Sequence, residues 1–347
     1  MPMKGFGRAL IFWLYGVLSG SVMADAQTPV EAIKSYSDFK QIDLNRLLAG
    51  DILSERGSLM YFPNGISAQT CFAVTLSAEE TTKRLQVWDP APHDDLKVHA
   101  FHSLRVPSEP ADFQQLDFKS NQHSIRWLLE KSAAATSSKS ELNLTREEAE
   151  ALASCMQKRP DPQKGAECWT KLLLDRASLF QQKGLAGVPP YEVAGDTVSP
   201  VVQLRTMLLE QADVAREFLP LLKKIGLLGD TIDTTLLPFY YWTFLDADHH
   251  GTLSLGAVYQ LQIGDHYQLA DVQYYVSNSY YTAVTLYEIW PIQAGARTGA
   301  LVWRGDYFTA PMLAFTKGTE RIAYGALMLQ DIKKGIRFFK EDLRAKP

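Results

Sequence analysis

The chain has 347 residues and 46% hydrophobic content, enough to bury a sizeable core, so it reads as one large folded domain or two ordinary ones. A formal net charge of -4 supplies no basic stripe, which argues against a nucleic-acid partner and leaves an apolar small molecule open. Three cysteines with no CxxC spacing argue against a zinc ribbon or a thioredoxin-type site.

Residues 1–26 read as a secretion signal. Lys4 and Arg8 make a positive start, 9–18 form a short apolar core, and Ala24-Asp25-Ala26 has a small-x-small cleavage pattern. The run is too short to span a bilayer, which needs about 20 apolar residues. The expected location is therefore periplasmic or secreted, with no membrane span once the signal is removed.

After a polar leader, 35–50 read as a helical turn closing at Gly50, and two strands follow around Pro63-Asn64-Gly65. Ser77 with Glu80 spells a capping box, so 78–88 is a short helix, ended by prolines. Residues 96–106 form the next strand. From 122 to 229 the pattern turns helical: a helix at 122–133, a second opened by the Thr145/Glu148 capping box, a third over 166–184, and a long one over 201–226 after Ser199-Pro200. Residues 185–200 read as loop. The last third returns to five aromatic, β-branched strands with short breaks, which favours antiparallel neighbours. A long helix over 319–343 closes the chain, with Ile322, Leu329, Ile332, Ile336 and Phe339 on one face at spacings of three and four.

The segments 27–121 and 230–347 thus make an α+β core, interrupted by a helical insertion over 122–229. The order of elements, one early strand block with a short helix, a late antiparallel meander and a long terminal helix, resembles the START-like (helix-grip, polyketide cyclase/lipid-transfer) superfamily. The resemblance covers roughly 57–105 and 236–343 and rests on element order, not on a motif. It implies a curved antiparallel sheet gripping the C-terminal helix with a cavity between them, and it carries no catalytic residue over. The whole chain also looks like exported bacterial proteins without an assigned activity.

Cys155 and Cys168 flank a polar break between two helices and are a candidate disulfide; two reduced thiols are the alternative. Cys71 reads as a small buried hydrophobe. The stretch from Asp246 to Ala257 is spelled like a calcium loop, with Asp246, Asp248 and His250 at alternating positions and Gly251 sixth. Its twelfth residue is Ala257 rather than Glu, His250 suits calcium poorly, and strands flank it, so it reads as a β-hairpin turn. His93, His99 and His102 cannot converge on one regular strand, and a metal set built from them needs a distant partner such as His266. No metal and no cofactor are expected. No nucleophile elbow, P-loop or HExxH is present.

The aromatic crowding of the late strands is the strongest remaining feature. A Tyr- and Trp-lined sheet facing a helix makes an apolar cavity with hydroxyl handles. The candidate ligand residues are Tyr275, Tyr287, Trp303, Arg304, Asp306 and His93, with Glu288 and Gln273 as further strand-face polar groups. The leading expectation is an exported protein binding an apolar or lipid-like small molecule. The alternatives are an envelope interaction protein whose core is filled, and a hydrolase- or cyclase-type enzyme using Asp306, Arg304 or His93 as acid–base groups.

Overall fold

The computed structural model describes residues 28–345 except 59, 121, 136–139, 194, 230–231 and 295–296. The expected secretion signal lies outside the described residues. Helices α1 (Pro29–Tyr36) and α2 (Leu44–Ala49) come first, followed by strands β1 (Ile52–Arg56) and β2 (Gly65–Val74), helix α3 (Ala78–Gln86) and strand β3 (Val98–Ser103). The helical stretch holds α4 (His123–Ala133), α5 (Arg146–Cys155) and α6 (Pro162–Lys183), a small hairpin of β4 (Tyr191–Val193) and β5 (Asp196–Val198), then α7 (Pro200–Leu209), α8 (Ala212–Glu217) and α9 (Leu219–Lys224). Strands β6 (Phe239–Ala247), β7 (His250–Ile263), β8 (His266–Val276), β9 (Thr282–Ala294) and β10 (Arg297–Thr309) precede α10 (Thr319–Ala345).

The class is α+β, with a large antiparallel sheet and a C-terminal helix. Eight strands pair in the order β1-β2-β10-β9-β8-β7-β6-β3, every neighbour antiparallel. The sheet is neither curled nor closed; β1 and β3 are its two edges.

Period-two alternation sorts the strand side chains between two layers. On one face Trp242, Leu255, Tyr275, Leu286 and Trp303 pack with Trp169, Phe180 and Phe218 of the helical layer in one continuous core. On the other, Phe72, Val258, Leu269, Ile289 and Val302 pack with Ile332, Ile336 and Phe339 of α10. On this second face α10 lies over β1 and β2, while α3 covers part of β8, β9 and β10.

Local chemistry accounts for most boundaries. Both halves of the Thr145/Glu148 capping box form, and Glu148 also pairs with the buried Arg176 at 2.5 Å. Ser77 caps α3, but Glu80 turns to Arg84 at 2.7 Å instead of completing a box. The calcium-like stretch is the β6–β7 hairpin: Ala247 pairs with His250, and Asp248 and His249 hold φ of 53° and 64°. Two central residues in the left-handed region make the turn that matches strand twist.

Two expectations are corrected. The single long helix over 201–226 is three helices: α7 ends at Leu209, and Pro220, which lacks an N–H and whose ring clashes with the carbonyl four residues back, separates α8 from α9. The 185–200 loop contains the β4–β5 hairpin, whose three-residue strands are too short to show alternation. Cys155 and Cys168 are bonded across the α5–α6 connection, with Cα atoms 5.9 Å apart, and Cys71 is free and buried.

Candidate functional site

The six residues singled out from the sequence do not form one site. Tyr275 and Trp303 are fully buried against the helical layer. The Arg176 guanidinium stands 4.0 Å from the Tyr275 ring, and Trp303 is wedged between Tyr36 and Phe218, with ring centroids at 5.1 and 5.6 Å. Their alternate-position partners face the opposite way. Arg304 forks onto Asp306, Nε to Oδ2 at 2.8 Å and Nη2 to Oδ1 at 2.6 Å, and lies 5.4 Å from the Tyr287 ring. His93 is elsewhere again. It stacks on Phe338 at 4.3 Å, and its Nε2 is 3.0 Å from Asp342 of α10. Tyr287, Arg304 and Asp306 therefore meet, Tyr275 and Trp303 sit behind the sheet, and His93 belongs to the end of α10.

Beside the Arg304–Asp306 pair, the Tyr241 hydroxyl donates to Asp271 at 2.7 Å. Tyr241 reaches it by lying flat over Gly256, where any Cβ would come within 2.1 Å of its ring. Burial pushes the Asp271 carboxyl up to about 6, against the lowering effect of Tyr241 and Arg304. This strip is satisfied internally. Its charges hold one another, and the Thr285 hydroxyl donates to Asp306 Oδ1 at 3.0 Å.

The space between sheet and C-terminal helix lies at the β1–β2 edge. A groove of about 610 Å³ runs there between the strands and the first turns of α10, lined by Arg56, Met60, Ile66, Arg321 and Ile322. Arg56 pairs with Ala68 across the ladder and so shares Ala68's α10-facing side. Its stem runs over Gly325, which leaves room for it. The Arg56 guanidinium has no ion pair or hydrogen bond among the described residues. Arg321 is fully used: it donates to the carbonyls of Pro63 at 2.9 Å and Leu313 at 3.2 Å and to that of Gly65, tying the β1–β2 and β10–α10 connections together. On those two tied connections Tyr61 and Phe315 stand 98% and 84% exposed.

A second polar assembly was not legible as a site in the sequence. Register places Gln268 of β8 opposite Glu288 of β9, and alternation sends His266, Gln268, Glu288 and Trp290 to the helical-layer side. The break between α8 and α9 brings Glu217 to the same place, so Glu217, His266 and Glu288 have ligating atoms within 4.8 Å of one another. Tyr36 of α1 donates its hydroxyl to Glu288 Oε2, and Gln268 donates to Glu288 Oε1 at 3.2 Å. His266 stacks on Trp290 at 3.7 Å and 16°, with Nε2 3.4 Å from Glu288 Oε1. Burial, then the Glu288 charge, pushes the Glu217 carboxyl up to about 7. Burial opposes the Glu288 charge too, but His266 and Tyr36 turned toward it outweigh burial and hold its carboxyl below the ordinary range. The one hint in the sequence was polar residues at inward positions of otherwise apolar strands; Glu217 carried no hint, because it reaches the cluster only through the helix break.

Among the described residues, no helix is long and apolar enough to cross a membrane. Comparison of the chain with protein-family models, with curated proteins and with solved structures finds no match.

Proposed function

We propose that the chain is an exported binding protein for an amphipathic small molecule, an apolar body with an anionic head, seated between β1–β2 and α10. The observation that carries this reading is the groove of about 610 Å³, lined by Met60, Ile66 and Ile322 and by Glu55 and Arg56, where the exposed Arg56 guanidinium has no partner among the described residues. Pockets of roughly 300–1,000 Å³ hold small ligands, and an unpaired Arg selects a carboxylate or phosphate. Exposed Tyr61 and Phe315 beside the groove favour a lipid-like body. A helix laid along one side of an open antiparallel sheet supports the START-like reading in its coarse form, with the guest at the sheet edge rather than under its centre. Export is supported by the signal-like start and by the Cys155–Cys168 bond, since disulfides persist in oxidising compartments.

The test is titration with a dansyl-labelled undecanoic acid. Saturable micromolar binding is expected, with Arg56→Gln weakening it about tenfold, the loss of one charge-assisted hydrogen bond. Absence of saturable binding to the folded chain would overturn the proposal. An envelope interaction role is the second reading. It is favoured by a shallow groove of about 520 Å³ between α7 and α8, beside which Leu209 is 65% exposed, and by the densely filled aromatic core behind the sheet.

A further inference from the structure

We infer that Glu217, His266 and Glu288 form a binding site for a divalent first-row transition-metal ion, with zinc the fitting probe. The groove plays no part in this inference. The three ligating atoms come from a helix end and two paired strands and already converge within 4.8 Å. His266 Nε2 and Glu288 Oε1 stand 3.4 Å apart. Two ligands bound about 2.1 Å from a tetrahedral ion are separated by about 3.4 Å, so this pair is spaced as the edge of such a site.

His266 supplies the second, independent observation. Its side chain is only 10% exposed, yet neither ring nitrogen has an aligned hydrogen-bond partner among the described residues. A buried polar atom without a partner costs free energy, and a metal ion occupying the Nε2 position removes that cost. The ring is held by the Trp290 stack, and Nδ1 lies 3.6 Å from the exposed carboxylate of Asp265.

The glutamate is oriented as well. Tyr36 holds Glu288 Oε2 and Gln268 holds Oε1, while Gln268 also donates to the Glu217 carbonyl at 3.2 Å, linking strand to helix end. Two carboxylates facing one another can share a proton or hold a cation between them, and the cation lets both stay ionised. A neutral imidazole, two carboxylates and a divalent ion sum to zero charge. One nitrogen and two oxygens, with no thiolate, suit zinc, manganese or ferrous iron, and a six-to-eight-oxygen calcium shell is not available here. Glu217 is only half buried, so a water could complete the shell and the ion has a way in.

The experiment uses the full chain stripped with a chelator and dialysed, then titrated with cobalt(II) followed by zinc(II). Tetrahedral cobalt absorption at one equivalent, displaced by zinc, is expected. His266→Ala and Glu288→Gln should each weaken zinc at least tenfold by calorimetry, whereas Asp246→Asn, in the calcium-like turn, should leave it unchanged. If either site variant fails to fold by circular dichroism, Tyr36→Phe decides, since it removes only the hydroxyl that holds Glu288 Oε2 and should weaken zinc about tenfold. Binding of less than one tenth of an equivalent to the folded parent chain overturns the inference, as does undiminished affinity in the site variants.

Discussion

Asp271 shows how a single side chain can carry a cost that depends on pH. Its carboxyl is buried beside the Arg304–Asp306 fork, accepts from Tyr241, and is pushed up from 3.8 to about 6. The native chain then binds this proton more tightly than the unfolded chain does. The associated stability is full below about pH 4 and is lost as pH rises through about 6, up to about 3 kcal/mol for two pKa units. Asp271→Asn keeps an acceptor for Tyr241 and removes the buried charge. It should raise the midpoint of urea unfolding at pH 8 and leave it nearly unchanged at pH 4; equal midpoints at pH 8 would contradict the burial argument. Trp303 makes the complementary point. It was readable as a ligand contact, but its indole is enclosed by Tyr36 and Phe218, with Nε1 3.3 Å from Gln69, so its work is packing.

At the scale of elements, the α5–α6 hairpin depends on its covalent clasp. Cys155 and Cys168 close a loop of 13 residues, and constraining such a loop in the unfolded chain contributes about 3 kcal/mol. The double substitution Cys155→Ala/Cys168→Ala should lower stability by about that amount in chemical denaturation, and reducing the parent chain should do the same. A change below about 0.5 kcal/mol would mean that the hairpin is held by packing of Trp169, Leu172 and Leu152 alone. The boundaries of the hairpin were legible because capping chemistry is local: Thr145 and Glu148 are three residues apart and satisfy each other without help. The break at Pro220 was also written in the chain. Its consequence was not, because where a helix end points depends on the layer it packs against, and that end carries Glu217.

For the whole molecule, the helical layer and the sheet share one core. Trp169 and Phe180 of the helices belong to the same buried cluster as Leu255, Leu286 and Trp303 of the strands. The 122–229 segment therefore has no separate core to unfold around, and scanning calorimetry should resolve one endotherm; two well-separated endotherms would show an autonomous insertion. Alternation, capping and turn chemistry act over two to four residues, so the sequence by itself determined the strands of the large sheet, most helices, the hairpin at Asp248-His249 and the long amphipathic α10, but not the short β4–β5 hairpin. Which strands are neighbours, that the sheet stays open, and which face each aromatic takes against α10 or the helical layer are long-range choices that no local spacing encodes. Only the tertiary structure separated Tyr275 and Trp303 from Arg304 and Asp306, placed the groove at the β1–β2 edge, and gathered Glu217, His266 and Glu288 from positions as far as 71 residues apart. The physical reason is that burial and charge pairing are settled by what faces a side chain in space, and along this chain the facing residue is usually on another element.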